Sequence, residues 1–536
     1  MPSGYIAVVL HAHLPFVRHP EHERAMEERW LFEALAECYL PLLGAFHRLK
    51  HGGVPFALTM SLTPPLAAML NDELLRRRFG QYLARVERLA ARETERLLGD
   101  LRFRPIAHFY VEHLHEVRRT WERIGGDVVG ALVAHADAHE IDLIACSATH
   151  AFLPGLLPTR RGLSAQLRVG MRAFERQTGR RPAGIWLPEC AYAPEFDADI
   201  ASAGFRYTIV DSHGVAFARP RPPFRHYAPI ASPSGVAFFG RDPESSKQVW
   251  SRASGYPGDA YYRDFYRDVG YDLSPEYLGD EVGPFGARTM TGLKYYRITG
   301  PTEDKAPYQP GVALERAAVH ADDFLAKRLA QVGNVSNTLP TPPIIVAPYD
   351  AELFGHWWFE GPAFLESFFR KLHKARVRGE RSLEAVTLRS YLERHPVMVQ
   401  ATPSASSWGA GGYGDVWIGP ESSQLWRHVH HAGRYVAWLL DRHRSVGGPQ
   451  GRALDLAIGQ LFLLQSSDWA FILTARTVAP YAWARVRSHV HRLRHLGHLV
   501  GKDTWEAQDF VFVDDLASRD NFLADAPSEM LRSAFD

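Results

Sequence analysis

Short apolar runs alternate with amphipathic segments along most of this chain, and this alternation limits its fold more than any other feature. The runs have the length of buried strands, and the clearest lie at residues 5–10, 56–60, 141–145, 184–187, 207–210 and 344–347. Segments with helical periodicity and charged outer faces lie between them, as at residues 72–98 and 314–329. This order predicts a parallel α/β sheet, and a barrel of roughly seven or eight strands is its simplest closure.

Two carboxylates follow two of these runs, each among aromatic side chains. Glu189 lies near Trp186 and Tyr192, and Asp350 directly follows Tyr349. Residues just beyond the carboxyl ends of barrel strands line the active site, so we expect both acids to face one pocket. Cleavage of a glycosidic bond with retention needs such a pair about 5 to 5.5 Å apart, one as nucleophile and one as proton donor. Capping of a following helix is the plainer role for an isolated acid, but two aromatic-flanked acids on different strands favour chemistry.

A His-x-His pair, His11 and His13, directly follows the first apolar run. These imidazoles could bind a divalent metal, as in many metal-dependent barrel hydrolases, with His150 as the best candidate for a third ligand. They could equally donate hydrogen bonds to sugar hydroxyls or to the nucleophile. Burial of satisfied imidazoles without a role is the remaining alternative, and their clustering at strand ends argues against it.

A later stretch, residues 406–417, interleaves glycines with the aromatic residues Trp408, Tyr413 and Trp417. Glycines allow tight turns and the rings offer flat faces, so the stretch suits a polysaccharide groove, although such aromatics equally suit a core. Asp468 follows later, among apolar neighbours. A buried carboxylate needs partners, so Asp468 either belongs to a structural network or reaches into the cleft.

Composition bounds the partner and the compartment. The 61 basic and 60 acidic side chains leave a formal net charge of +1, which gives no long-range field toward nucleic acid or an anionic membrane. A neutral sugar polymer fits this balance. The three cysteines are an odd number at wide spacing, which predicts neither a disulfide framework nor a metal cluster and favours a reducing cytoplasm. The apolar run near the N-terminus is too short for a membrane span and lacks the preceding basic residue of a signal peptide.

The organisation changes twice along the chain. From about residue 220 to 300, many Pro, Gly and Tyr residues break the rhythm of strands and helices, which is typical of a functional insertion. After about residue 395 the pattern is mainly helical. The helices predicted there lie at 424–442, 452–473 and 481–499. We therefore predict a catalytic barrel domain at 1–395, interrupted at about 220–300, and a helical domain at 396–536 that contributes to the cleft.

Five segments stand out when these features are combined. They are Leu10-His-Ala-His-Leu-Pro15, Cys146-Ser-Ala-Thr-His150, Trp186-Leu-Pro-Glu-Cys-Ala-Tyr192, Ala347-Pro-Tyr-Asp-Ala-Glu-Leu-Phe-Gly-His-Trp-Trp358 and Ser407-Trp-Gly-Ala-Gly-Gly-Tyr413. Together they resemble the signature regions of glycoside hydrolase family 57, and the helical tail with Ser467-Asp-Trp469 resembles its 1,4-α-glucan branching enzymes. The resemblance extends from residue 5 to beyond residue 470. It implies an incomplete (β/α)7 barrel with an inserted, partly helical region and a C-terminal helical domain.

The resemblance also implies a retaining α-glucan transglycosylase, with Glu189 as nucleophile and Asp350 as general acid/base. The residues expected to bind the sugar chain are His11, His13, His150, Trp186, Tyr271, Trp357, Trp408, Trp417 and Asp468. Neither a metal nor another cofactor is implied. The expected partner is an α-1,4-glucan such as amylose, without nucleic acid or membrane, for a cytoplasmic monomer or small homo-oligomer. Three alternatives stay open: an α-amylase-type hydrolase of the same family, a metal-dependent barrel hydrolase, and a non-catalytic glucan-binding protein.

One departure from the family pattern bears on the activity. Branching members carry a tyrosine near the tip of a mobile active-site loop in the insertion, and this tyrosine favours transfer over hydrolysis. The comparable loop predicted here, at residues 232–242, has Phe238 and Phe239 but no tyrosine. The sequence therefore leaves open whether branching or hydrolysis dominates.

Overall fold

The computed structural model describes residues 2–251, 253–283, 286–379, 383–397 and 399–536. Nine strands lie within these ranges: β1 Gly4–Ala12, β2 Leu58–Leu62, β3 Ile141–Cys146, β4 Gly184–Trp186, β5 Tyr207–Val210, β6 Ile230–Ala231, β7 Ala237–Gly240, β8 Ile344–Asp350 and β9 Leu383–Ala385. The α-helices of the same ranges are α1 Glu28–Ala34, α2 Leu40–His51, α3 Pro64–Asn71, α4 Glu73–Arg96, α5 Arg104–Arg123, α6 Val128–Asp137, α7 Arg160–Thr178, α8 Asp197–Ser202, α9 Ser212–Ala216, α10 Pro243–Trp250, α11 Val269–Asp272, α12 Pro275–Leu278, α13 Pro310–Val335, α14 Gly361–Val377, α15 Leu388–Arg394, α16 Ser423–His443, α17 Gly448–Leu464, α18 Ser467–Ala475, α19 Ala479–Val500, α20 Ala507–Arg519 and α21 Ser528–Ser533.

Seven parallel strands of the described chain, β1 to β5 with β7 and β8, form the incomplete (β/α)7 barrel that the sequence predicts. The strand order is β6-β7-β5-β4-β3-β2-β1-β8, with β6 antiparallel to β7 and β9 paired with the start of β1. A parallel bridge between Arg241 and Val346 connects the end of β7 to β8. The Asp242 N–H donates to the Val346 carbonyl at 2.7 Å in the same place, so the ring is closed by a short contact rather than a full ladder.

Burial on both faces explains why the strands read as continuous apolar runs. All nine residues of β1 are buried, and so are the first six residues of β8. Each Val, Ile or Leu side chain removed from water stabilises the fold by about 1.5–3 kcal/mol. All six predicted strands are present, and β8 continues beyond its predicted end at residue 347 to Asp350.

The register of the central strands sets three polar side chains side by side at the carboxyl edge of the barrel. His11 of β1 pairs with Asp350 of β8 and, on its other side, with Ser61 of β2. Parallel strands present all their carboxyl ends at one edge, where barrel enzymes build their sites. The fold therefore carries the predicted His-x-His segment and one predicted acid to the same rim.

The prediction of an active-site loop at residues 232–242 was wrong. Residues 237–240 form β7, a parallel strand beside β5, and Phe238 and Phe239 are fully buried. The ring of Phe238 packs edge-on against Tyr192 at 4.7 Å, and the ring of Phe239 lies 6.2 Å from Tyr391. The apolar pair belongs to the core, so residues 230–240, which the sequence analysis placed inside the insertion, extend the sheet instead.

Residues 251–309 form the irregular connection between α10 and α13. Its described part includes the two short helices α11 and α12, and it exposes the rings of Tyr261, Tyr266 and Tyr271. Asp268 anchors it from within, because its buried carboxylate accepts hydrogen bonds from the backbone N–H groups of Gly270 and Thr291 at 2.8 Å. An irregular segment with a satisfied interior and exposed aromatic rings is typical of a functional connection.

Helices α16 and α19 lie where the sequence predicted helices. The region between these two helices differs from the prediction. The single helix predicted at 452–473 is two helices, α17 and α18, separated at Gln465 and Ser466. Ser466 forms an antiparallel bridge with Ala151, and the Ser467 N–H donates to the His150 carbonyl at 3.0 Å. The break therefore turns the start of α18 toward the barrel and brings Ser467 to its carboxyl edge.

The interior holds three free thiols, Cys38, Cys146 and Cys190, all of them buried. Burial raises the pKa of each thiol above its usual value, so these side chains are neutral packing groups rather than nucleophiles. Among the helices that the structure describes, none has the length and apolar character needed to cross a lipid bilayer.

Candidate active site

Glu189 lies in a tight turn immediately after β4. Its φ is 65° and that of Cys190 is 49°, so two consecutive residues with side chains adopt the left-handed conformation. Each such residue costs roughly 1–2 kcal/mol. Two backbone hydrogen bonds hold the turn, from the Cys190 N–H to the Leu187 carbonyl and from the Trp408 N–H to the Glu189 carbonyl, both at 2.9 Å. Backbone held in such a conformation is typical of functional sites, because the surrounding structure must fix the side chain's direction.

Both carboxylate oxygens of Glu189 accept hydrogen bonds from other parts of the chain. The Trp408 indole Nε1–H donates to Oε2 at 2.7 Å, and the Ser467 hydroxyl donates to Oε1 at 2.8 Å. Burial raises the pKa of Glu189 to about 7, while these two donors act in the opposite direction and favour the charged form. The carboxylate is therefore oriented at both oxygens and partly ionised near neutral pH.

Asp350 ends β8 in a different environment. No described residue donates a hydrogen bond to its carboxyl group, whose close charged neighbours include two acids, Glu352 and Glu189. Burial raises the pKa of Asp350 well above its usual value, the two carboxylates raise it further, and Arg241 opposes them. Asp350 is thus held as a neutral carboxylic acid, which is the form that a proton donor needs.

A hydrogen-bonded series, here called the histidine chain, leads from Ser61 through His11, His150 and Ser467 to Glu189. Ser61 Oγ lies 2.5 Å from His11 Nδ1, and His11 Nε2 lies 2.9 Å from His150 Nε2. His150 Nδ1 lies 2.8 Å from Ser467 Oγ, the hydroxyl that donates to Glu189. Burial is the main cause that lowers the pKa of both His11 and His150 well below the usual value, so both rings are neutral.

Neutral rings give the histidine chain one direction when Glu189 is ionised. A carboxylate only accepts, so Ser467 donates to it and accepts from His150 Nδ1–H. His150 Nε2 then accepts from His11 Nε2–H, and His11 Nδ1 accepts from Ser61. The negative charge of Glu189, at one end of the histidine chain, therefore fixes the tautomer of His150 and of His11.

His13 forms a second polar contact with the C-terminal helices. Its Nε2 lies 3.0 Å from Asp468 Oδ2, its Nδ1 lies 3.0 Å from Thr63 Oγ1, and its ring stacks on His150 with centroids 3.8 Å apart. Burial raises the pKa of Asp468, but His13, His150 and Ser466 outweigh it and bring the pKa to about 2. Asp468 is therefore ionised, and it joins α18 to the segment that directly follows β1.

His13, His150 and Asp468 have donor atoms within 4.8 Å of one another and could hold a cation. The ring nitrogens of both histidines already have protein partners: Thr63 and Asp468 for His13, Ser467 and His11 for His150. A metal would have to replace these contacts, so the set fits an organic hydrogen-bonding site better than a zinc site with free ligands.

Three of the predicted aromatic residues are buried walls of the site. Trp186 is fully buried, with its ring 4.6 Å from His11 in a stacked arrangement and 5.0 Å from Trp408 edge-on. The indole N–H of Trp408 donates its hydrogen bond to Glu189. Trp417 is buried and stacks on Phe152 at 5.3 Å. These indoles fix neighbouring side chains, and Trp186 in particular has no exposed face for a sugar.

Two other predicted aromatic residues are exposed. Trp357, seven residues after Asp350 in the chain, is 55% exposed and stacks on Phe265 with centroids 4.5 Å apart. Tyr271 is 53% exposed on α11, where its hydroxyl lies 3.5 Å from the Arg288 carbonyl. Trp357 has a supported flat face of the kind that binds sugars, whereas nothing in the contacts of Tyr271 connects it to the two acids.

Sequence reasoning missed three side chains that act on the acids: Ser467, Glu352 and Arg241. Glu352 Oε1 accepts the His13 N–H at 3.1 Å and the Tyr39 hydroxyl, and its charge raises the pKa of Asp350. Its position two residues after Asp350 was an available signal. Ser467 lay in a segment that stood out, but its role depends on a contact with Glu189 across 278 positions of the chain. Arg241 gave no signal, because its effect on Asp350 depends on the closure of the ring between β7 and β8.

Comparisons with known proteins agree with this geometry. The model of glycosyl hydrolase family 57 matches residues 7–401, and a model for the C-terminal region of 1,4-alpha-glucan branching enzymes matches residues 428–529. A 1,4-alpha-glucan branching enzyme of Thermococcus kodakarensis is 30% identical over 97% of this chain and 77% of its own length.

Two solved structures are similar over their whole length. The alpha-amylase AmyC of Thermotoga maritima is 37% identical with a TM-score of 0.89, covering 99% of both chains. A family 57 type branching enzyme of Pyrococcus horikoshii is 31% identical with a TM-score of 0.86, covering 99% of this chain and 97% of its own. Relatives with two different names therefore share the fold described above.

Proposed function

The chain belongs to glycosyl hydrolase family 57, and from that membership we propose that it is a 1,4-α-glucan branching enzyme working through a covalent glycosyl-enzyme. The match of residues 428–529 to the C-terminal region of branching enzymes supports the transfer activity. We assign the catalytic domain to residues 1–395 and the cleft-closing helical domain to residues 396–536. The insertion expected at about 220–300 is narrowed to residues 251–309, because residues 230–240 extend the sheet. The free buried cysteines fit a cytoplasmic role in glycogen synthesis.

The observation that carries this proposal is the opposite environment of the two acids. Glu189 has a hydrogen-bond donor on each oxygen, so its ionised form is oriented for attack. Asp350 has acidic neighbours and a raised pKa, so its neutral form is available as a proton donor. A retaining mechanism needs one carboxylate of each kind.

In the first step Asp350 protonates the glycosidic oxygen of the donor α-1,4-glucan while Glu189 attacks the anomeric carbon. The bond to the departing chain breaks, and a β-glycosyl ester forms on Glu189. The ring nitrogens of His11, His13 and His150 are already hydrogen-bonded within the protein, so these rings hold Ser467 and Asp468 in place beside the sugar. Asp468 is the member of this group with lone pairs left to accept from the sugar hydroxyls. The fixed hydrogen bonds of the group mean that little reorganisation is needed as charge develops.

In the second step the 6-hydroxyl of another glucan chain attacks the ester, and ionised Asp350 takes its proton. An α-1,6 branch results, with net retention of configuration. Transfer wins over hydrolysis only if an acceptor is held in line and water is excluded. Trp357, with its exposed and supported ring, is our candidate for holding a glucan chain near Asp350.

Hydrolysis is the second candidate function, and a specific observation favours it. The relative that covers 99% of both chains at 37% identity is named an alpha-amylase. In addition, residues 237–240 are a buried strand, so Phe238 and Phe239 of the stretch compared with the tyrosine-bearing loop are not presented to an acceptor. Water rather than a sugar hydroxyl would then attack the same intermediate.

Incubation with amylose separates the two functions. New α-1,6 linkages and new reducing ends are counted separately, for the wild type and for Glu189→Gln. Branching predicts many linkages with few reducing ends, and hydrolysis predicts the reverse. Equal activity of Glu189→Gln and the wild type would refute both, and would leave a binding protein or different chemistry.

A further inference from the structure

The C-terminal helices carry a recess on their outer surface that the catalytic reaction does not use. Its volume is about 630 Å³. Seven residues of α16 and α19 line it: Gln424, Arg427, His428, His430, His431, Arg434 and Arg494. Three arginines and three histidines thus meet in one place, and no carboxylate is among the lining residues.

The three arginines of the recess are not neutralised by an acid of the described chain. Neither an ion pair nor a hydrogen bond from Arg427, Arg434 or Arg494 occurs within the parts of the chain that the structure describes. By contrast, Arg492 of α19 pairs with Asp520, and Arg452 of the adjacent helix α17 pairs with Asp514. In a chain with 61 basic and 60 acidic residues, such clustering is a local feature rather than a consequence of overall charge.

The sequence of α16 aligns these groups on one face of the helix. Arg427, His431 and Arg434 are spaced four and three residues apart, so their side chains follow one another along the surface. Trp438 continues the row, is 44% exposed, and lies under the Arg442 guanidinium at 4.7 Å. The row therefore combines positive charge with a flat apolar ring.

We propose that this recess binds a small molecule that carries phosphate groups. Guanidinium groups bind phosphate oxygens in pairs of parallel hydrogen bonds, and three of them here are free to do so. The volume lies within the range of about 300–1,000 Å³ that small-ligand sites occupy. The phosphate belongs either to a simple oligophosphate or to a nucleotide, whose base we place toward the exposed edge of Trp438, one turn of α16 beyond the lining residues. The site shares no residue with the acids, so it stands independently of the proposed function.

Calorimetric titration of the full chain with inorganic pyrophosphate, and separately with ATP, tests this. The test variant carries Arg427→Ala, Arg434→Ala and Arg494→Ala together, and the matched control is Arg487→Ala, an exposed arginine of α19 outside the recess. Loss of three charge-assisted contacts is expected to raise Kd by about 100-fold or more, and the control by about twofold at most. All four positions are exposed, and circular dichroism together with unchanged activity on amylose verifies that the variants fold.

Trp438→Ala distinguishes the two sources of phosphate. A nucleotide site predicts that ATP binds more tightly than pyrophosphate and that this variant weakens ATP alone. A simple oligophosphate site predicts similar affinities and no effect of the variant. The proposal is overturned if neither probe binds the wild type, or if the triple variant binds both as tightly as the wild type does.

Discussion

Glu189 and Asp350 lie at the ends of two barrel strands, β4 and β8, but their hydrogen-bonding partners and charged neighbours differ. Segments distant in the chain reach across to donate to both oxygens of Glu189, whereas no described residue donates to Asp350. Burial raises both pKa values, but donors then pull that of Glu189 down and acids push that of Asp350 up. Burial therefore raises the pKa of both acids, and the hydrogen bonds donated to Glu189 favour its charged form over that of Asp350.

The largest expected effect comes from replacing each acid in turn. Glu189→Gln should lose roughly 10⁴-fold or more in rate on both amylose and α-maltosyl fluoride, because no nucleophile is left. Asp350→Asn should lose about 10²- to 10⁴-fold on amylose. It should keep a fast first release of fluoride, since that leaving group needs no proton.

Rapid measurement of fluoride release checks this difference. Trp438→Ala, a change on the outer face of α16, serves as the control for handling and folding. Equal loss of the fluoride burst in Glu189→Gln and Asp350→Asn would show that the two acids do not have different catalytic roles.

The pH profile sharpens the comparison further. Glu189 must be ionised to attack, so kcat/KM should rise with pH through a value near 7. Asp350 must be protonated, so kcat/KM should fall again at higher pH. Ser467→Ala removes one donor to the charged form of Glu189, and should therefore raise its pKa and move the rising limb up by about half to one pH unit. At pH values below that limb, the activity of Ser467→Ala should be about three- to tenfold lower than that of the wild type.

Ser61→Ala is the matched control for this change. It removes the same hydroxyl from the other end of the histidine chain and leaves both donors to Glu189 in place. Its rising limb should move less than that of Ser467→Ala. A limb that stays fixed in Ser467→Ala, or moves to lower pH, would contradict the role given to that serine.

A smaller effect is expected from Trp357, the exposed ring in the segment that follows Asp350. Trp357→Ala removes a flat ring near the Asp350 segment, and ring stacking of this kind contributes about 0.5–1.5 kcal/mol. New α-1,6 linkages should fall by about two- to tenfold relative to reducing ends, because a poorly held acceptor loses to water. An unchanged ratio in linkage analysis would remove Trp357 from the acceptor site.

No change is expected on prolonged incubation with a chelator. The proposed mechanism uses only the two carboxyl groups, and the ring nitrogens of His13 and His150 are already hydrogen-bonded. Activity should stay within error of the untreated protein. Loss of activity that added Zn²⁺ restores would favour the metal-dependent hydrolase instead.

The sequence predicted much of the barrel and little of what supports the acids. β1 and β8 were found because residues 5–10 and 344–347 form unbroken apolar runs. β7 was missed because its four residues follow a Pro-Ser-Gly turn and resemble a loop until Phe238 is seen in the core. The break between α17 and α18 was missed because helical periodicity continues across it. The Ser467-Asp-Trp469 segment stood out, but the role of Ser467 was missed, since its contact with Glu189 joins residues 278 positions apart.

The central claim is that Glu189, and not another acid of the cleft, forms the covalent bond to the sugar. Asp350→Asn incubated with α-maltosyl fluoride tests it, because the ester should form quickly and turn over slowly when the base is missing. Mass spectrometry of the digested protein should find one maltosyl group on the peptide that contains Glu189. A maltosyl group on the peptide of Asp468 or Glu352, or turnover without any adduct and with inversion at the anomeric carbon, would contradict the claim.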